Sequence, residues 1–257
     1  MLISGKDQLI WKGTKMNAQK QIENICASKK EVFSEFLTCL CNCGLCEVNC
    51  YYKDEGNFYF RRHNDLFGIN DLFIFFEDES FFKHTLKQYK ELYTVSIITP
   101  LAIDMNELNS EWKISFRRQF YKNTKTRKIN TNEHVVLNKD HVNLISKSTS
   151  NTTIDNYKMS LEYDDECYAI ATEELKSFLS TSKVQQQGIV EINWIYTEPQ
   201  YRFGGYASRL LTEVSNLYVE KGFFVSYHCN KDNIASANTA LKSGFTETNT
   251  EIILERK

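Results

Sequence analysis

The chain has 257 residues, 42% of them hydrophobic and 25% charged, with a formal net charge of −2. That is the composition of a folded globular protein of one large or two modest domains, and it excludes a disordered chain. Ten Gly and two Pro exclude collagen-like or Pro-rich architecture. No long apolar run spans a bilayer, the start lacks the apolar core of a secretory signal, and no basic field recommends nucleic acid. A cytoplasmic protein with no membrane or nucleic-acid partner is the expectation.

The first half is dense in aromatic residues. Residues 15–40 have helical spacing through Ile22, Ile25, Cys26, Phe33, Phe36 and Leu37. Five of the eight cysteines follow closely, at Cys39, Cys41, Cys43, Cys46 and Cys50. Their C-x-x-C is a candidate zinc site through soft thiolates. No His lies nearby and no second C-x-x-C completes a ribbon, so a reduced, thiol-rich segment is the favoured expectation, without metal. Residues 57–61 and 72–76 read as strands. Ser80 reads as the cap of a helix through Phe82, Leu86, Tyr89 and Leu92, and 95–99 as a strand ended by Pro100. Residues 110–121 fit neither period. The polar stretch 122–132 has one large apolar residue, Ile129, and marks the expected boundary between a domain at 1–128 and a domain at 129–257. Residues 1–128 carry 19 basic against 16 acidic residues and 129–257 carry 12 against 17, so the halves differ in sign.

In the second half, 134–137 reads as a strand and 140–145 as a short helix. Residues 166–172 and 175–184 read as antiparallel strands, and 188–196 as another strand. A long amphipathic helix covers 205–220 through Leu210, Leu211, Val214, Leu217 and Tyr218, and Gly222 stops it. A strand at 223–229, a short helix at 234–242 and a closing strand at 252–254 complete an α+β order.

The informative segment lies between the strand at 188–196 and the helix at 205–220. A strand that turns directly into a helix points backbone N–H groups at one spot, where the helix dipole favours negative charge. Gly204 and Gly205 let a ligand approach the backbone, and Arg202 adds a positive charge. By this chemistry the turn is a candidate pyrophosphate cradle, against the alternative of a merely structural junction.

The motif Arg202-Phe203-Gly204-Gly205-Tyr206-Ala207, preceded by Pro199-Gln200-Tyr201, resembles the phosphate loop of the GNAT superfamily of acetyl-CoA-dependent N-acetyltransferases. Asn233, and Lys242-Ser243-Gly244-Phe245 after it, resemble that family's downstream motif. The resemblance covers about residues 130–257. The detail of 233–245 is similar to the two-domain branch that includes zwittermicin-resistance-type acetyltransferases. The resemblance implies a mixed, splayed central sheet flanked by helices, with an additional α+β N-terminal domain. It implies that acetyl-CoA enters the splay and that Ile195, Tyr196 and Thr197 line its pantetheine arm. The amides of Phe203, Gly204, Gly205, Tyr206, Ala207 and Ser208 would hold its diphosphate, with Arg202 and Asn233 nearby.

A strand bulge would aim the Ile195 N–H at the thioester carbonyl. Glu191 is the implied general base, against the alternatives of a merely polar residue on an exposed strand face and of a residue that binds the substrate ammonium. The family's acid, a Tyr four residues before the Gly of the Gly-Phe pair, is replaced by Ala240, which leaves Tyr227 and Tyr206 as candidates. His228 and Cys229 point to opposite faces of a strand and are expected to be core. The expected reaction is direct attack of a small primary amine, such as an antibiotic or amino metabolite, on the thioester. The alternatives are a non-catalytic acyl-CoA sensor and a protein N-acetyltransferase. Residues 1–128 are read as an acceptor pocket, a homodimer surface or a degenerate copy of the fold.

Overall fold

A computed structural model describes residues 11–41, 46–64, 68–89, 91–104, 108, 110–125, 134–163 and 165–257. Two compact units emerge, one within residues 1–117 plus 250–257 and one of residues 118–249. The polar stretch chosen as a boundary from the sequence lies largely outside the described residues. The chain changes units instead between Arg117 and Arg118 and again between Asn249 and Thr250.

The first unit opens with helices α1 (Trp11–Ser28) and α2 (Lys30–Cys41), so the single helical run read from spacing breaks at Lys29. Strands β1 (Glu47–Asp54), β2 (Asn57–Asn64) and β3 (Ile69–Phe76) form an antiparallel meander. Helix α3 (Glu79–Gln88) then leads to β4 (Thr94–Ile98), which pairs parallel with β3. The segment 110–121 that fitted neither period is largely strand β5 (Trp112–Lys122).

Period-two alternation explains the aromatic density. Phe58 and Phe60 of β2 and Phe73 and Phe75 of β3 meet Phe33 and Phe36 of α2. Tyr59, Leu72, Ile74 and Phe76 bury on the other face with Phe81 and Phe82 of α3. The cap of α3 is Asp78 rather than Ser80: its carboxylate accepts the Ser80 N–H at 2.9 Å and the Ser80 hydroxyl at 2.7 Å. Among the described residues no cysteine cluster reaches metal-ligand spacing, and Cys43 lies outside them. Cys26 is fully buried, and burial drives its thiol pKa far upward, with Cys41 and Cys50 adding to the shift.

From α4 (Val142–Ile145) to β10 (Phe224–Asn230) the second unit follows the order of elements that runs from α1 to β4 in the first. Strand β6 (His134–Val136), a short helix α4 (Val142–Ile145) and helix α5 (Asn151–Tyr163) precede β7 (Cys167–Ala171), β8 (Leu175–Val184) and β9 (Ile189–Thr197). Then come α6 (Tyr206–Glu220), β10 (Phe224–Asn230), α7 (Ile234–Lys242) and β11 (Thr246–Arg256), whose last residues belong to the first unit. The sheet order is β10-β9-β8-β7-β6, and β9 and β10 are parallel. In each unit a helix pair, a three-strand meander, a crossover helix and a parallel strand succeed one another.

Leu210, Leu211, Val214 and Tyr218 of α6 bury against Val190, Ile192, Val225 and Tyr227. Each fully buried side chain of this size stabilises by about 1.5–3 kcal/mol. Ile145 of α4 and Tyr157 of α5 cover the opposite face at Ala169, Leu175 and Phe178. No helix among the described residues is long and apolar enough to cross a membrane.

Candidate active site

The site forms where β9 and β10 part. Their pairing runs from Phe224↔Ile189 to Tyr227↔Ile192 and stops, although β9 continues to Thr197 and β10 to Asn230. The same point carries a bulge. On β8, Ser180 opposes Trp194 and Thr181 opposes Ile192, so Asn193 is the extra residue of β9. The bulge inverts the alternation: Val190 and Ile192 face α6, Trp194 packs toward α5, and Ile195 packs toward α6 again. The backbone of Ile195, Tyr196 and Thr197 therefore borders the gap.

The end of β9 is anchored by Glu198, which is buried. Its carboxylate accepts the Ser148 and Thr149 hydroxyls, each at 2.5 Å, and the Thr149 N–H at 3.2 Å. A turn at Pro199–Tyr201 follows. Arg202 Nε donates to the Thr197 carbonyl at 3.2 Å, and its guanidinium lies 5.6 Å from the Tyr196 ring centre.

Phe203 and Gly205 have positive φ, 65° and 75°, which wraps the loop before α6. A β-carbon on Gly204 would meet the Tyr206 ring at 2.8 Å and the Tyr201 carbonyl at 3.3 Å, so any larger residue there requires the ring and the turn to shift. No side chain caps α6. Its first intrahelical bond is Arg209 N–H to Gly205 O at 3.0 Å, which leaves the amides of Tyr206, Ala207 and Ser208 ahead of it. Lys176 Nζ lies 5.6 Å from the Tyr206 ring centre, and the Arg209 guanidinium 4.5 Å from it. An uncapped helix start, a close-approach glycine and three cations fit a diphosphate. Lys176 and Arg209 escaped the sequence reading because a lone basic residue on a strand or helix carries no motif.

Glu191 is buried, on the face of β9 opposite Ile192. The His228 Nδ1 lies 3.0 Å from its Oε1. His228 is thus a partner of Glu191 and not the core residue expected from sequence, while Cys229 does join the core. Ser226, the register partner of Glu191 on β10, has a buried hydroxyl with no hydrogen-bond partner among the described residues. A carboxylate and a hydroxyl oxygen side by side can accept the N–H groups of an amine.

Tyr227, at the point of parting, is buried and bonds the Ser236 hydroxyl. Burial pushes its pKa up to about 12, against the opposing effect of that bond, so it keeps its proton at neutral pH. Ala240 is fully buried in the same core. The Asn233 side chain accepts the Ser236 N–H at 3.1 Å as the cap of α7, which commits its Oδ1.

Comparison with known proteins agrees with this geometry. Residues 137–245 match the model of the acetyltransferase (GNAT) family. No curated protein matches the chain. Among solved structures, a GCN5-related N-acetyltransferase from Kribbella flavida shares 9% identity over 93% of this chain and 95% of its own, with a TM-score of 0.57. A GCN5-related N-acetyltransferase-like protein from Streptococcus suis shares 12% over 95% of this chain and 100% of its own, with a TM-score of 0.55. A tandem GNAT protein of the clavulanic acid biosynthesis pathway shares 11% over 98% of this chain and 96% of its own, with a TM-score of 0.50. Likenesses at this identity establish the fold: a mixed, GNAT-like sheet flanked by helices, with an extra N-terminal region, in which residues 137–245 form the segment that the acetyltransferase family model matches.

Proposed function

We propose that the second unit is an acetyl-CoA-dependent N-acetyltransferase in which a small primary amine attacks the thioester directly. The family match supports acetyl transfer in general terms. The observation that carries the finer reading is the coincidence, within one strand, of the bulge at Asn193, the parting from β10 after Ile192, and the uncapped glycine turn into α6. Acetyl-CoA would supply the activated acyl group. The amides of residues 203–208, with Arg202, Lys176 and Arg209, hold its diphosphate, and Ile195–Thr197 border its pantetheine arm.

Glu191 receives a proton from the ammonium group, and His228 and Ser226 orient the pair. The free amine attacks the carbonyl, the Ile195 N–H steadies the developing oxyanion, and the C–S bond breaks. Tyr227, protonated at neutral pH, gives its proton to the departing thiolate, and the second proton shed by the acylated nitrogen passes through solvent to restore it, so that turnover yields the amide, the thiol and the one proton taken by Glu191. The resemblance of residues 233–245 to zwittermicin-resistance-type enzymes places aminated antibiotics among the acceptors to try. The first unit reads as a degenerate second copy of the fold, a reading supported by the likeness to a tandem GNAT protein.

Thiol release from acetyl-CoA across a panel of amines tests the proposal. Turnover that saturates with acetyl-CoA, and falls about 10²–10⁴-fold in Glu191→Gln, is the expected result. Tight binding of coenzyme A with no turnover on any amine or peptide would favour a sensor, as the loss of the family's tyrosine at Ala240 allows.

A further inference from the structure

Among the described residues Phe203 is the large apolar side chain with the greatest exposure. It is fully exposed. Among the described residues it is also the one non-glycine residue with a positive φ, at 65°. Two residues on, the same loop meets the same backbone demand with a glycine, Gly205 at φ 75°. A bulky aromatic residue in that conformation is strained, and no packing here offsets the strain or the exposure of its ring. Neither the turn nor the core needs it, so what it meets is outside the chain.

The position says what that is. With the proposed cosubstrate laid along the site, the arm runs beside Ile195–Thr197 and the diphosphate sits on the amides of 203–208. The atoms beyond the diphosphate are the ribose and the adenine. Phe203 opens the loop between Arg202 and Gly204, at the edge of the cradle, where an exposed ring and an exposed base can stack. We propose that Phe203 is a specificity residue that stacks on the adenine of the cosubstrate, so that the enzyme distinguishes full coenzyme A from carriers that lack the nucleoside. This inference rests on the acetyl-CoA reading above and adds to it a base-recognition element that the glycine loop does not provide.

Calorimetry with three probes tests it: coenzyme A, adenosine 3′,5′-bisphosphate and 4′-phosphopantetheine, on the full chain and on Phe203→Ala and Phe203→Trp. Because the side chain is exposed, both variants should fold, and thermal melts check this. Stacking of an aromatic side chain on a base predicts that Phe203→Ala weakens coenzyme A and the bisphosphate by about 5–100-fold. It should leave phosphopantetheine within about twofold of wild type, and Phe203→Trp should restore the nucleotide affinity. Equal losses for all three probes would mean that Phe203 only shapes the loop, and no loss for any would mean that it does nothing for the ligand; either result overturns the proposal while leaving the acetyl-CoA reading standing. A wild-type chain that binds none of the probes overturns that reading and this inference with it.

Discussion

A methyl group is the smallest change that tests the cradle. Gly204→Ala places a carbon 2.8 Å from the Tyr206 ring and 3.3 Å from the Tyr201 carbonyl. The ring can yield, but the backbone oxygen holds the turn, so the loop must move. We expect coenzyme A affinity to fall about tenfold, or about 1.4 kcal/mol, with an unchanged melting temperature, because the loop is exposed; titration calorimetry and a thermal melt check both.

Lys122 makes a different prediction. It is buried, and its ammonium bonds the Ser215 hydroxyl and the Ser243 carbonyl, both at 2.9 Å. Burial lowers its pKa from 10.5 to about 8. Between those values the unfolded chain holds a proton that the folded chain has released, so raising the pH favours folding. Relative to Lys122→Met, wild type should gain about 3 kcal/mol from pH 8 to pH 10.5 in denaturant unfolding. A constant difference would refute the assignment.

At this scale the turn itself was legible: Gly204 and Gly205 mark a tight strand-to-helix junction, and the structure has that junction, with Gly205 at positive φ before α6. His228, Ser226, Lys176 and Arg209 were not, because their roles depend on strand register and on which face of a helix meets a strand.

Among elements, the junction after β9 matters most. Glu198 ties the end of that strand to the α4–α5 connection through Ser148 and Thr149. Removing a buried acceptor of several donors leaves those donors unsatisfied, so Glu198→Ala should destabilise by about 3 kcal/mol and loosen the cradle that follows. Urea unfolding and coenzyme A titration measure the two effects, and a stable variant with intact affinity would contradict the anchoring role.

A second polar knot fixes α6 from below. Glu166 pairs with Lys183 at 2.7 Å and accepts the hydroxyls of Tyr168 and Tyr218. Its partial burial opposes ionisation, yet the bonds from Lys183 and the two tyrosines win and hold its pKa near 2.

The strongly periodic elements were legible from the sequence, α6 above all, with β8, β9 and α7 close behind. Helix α5 was missed because its run of Asn, Thr and Ser masks a modest apolar stripe, and β1 was missed because EVNCYYKD has only a weak alternation of apolar and polar residues. The bulge was expected only through a resemblance; the letters Ile192-Asn193-Trp194 do not reveal which residue goes unpaired.

Across the whole molecule the two units share an order of elements but not a site. In the first, β3 and β4 stay paired to Phe75↔Ile98, at the very end of β4, so no gap opens. Its crossover helix begins at Glu77-Asp78-Glu79 where the second unit has Gly204-Gly205-Tyr206, so Asp78 stands at the cap position that Gly205 holds in the second unit. Asp78 already occupies the helix start, and the Ser80 hydroxyl and Lys53 hold its pKa near 2, so it stays charged and repels phosphate. The repeat was invisible in the letters because backbone order, not side-chain identity, is what the units have in common.

Titration calorimetry of the full chain with coenzyme A puts the central claim to its most direct test. The account predicts one site per chain, abolished by Gly205→Glu, which sets a carboxylate at the start of α6, and untouched by Asp78→Asn. Absence of binding, two sites, or full affinity in Gly205→Glu would contradict it.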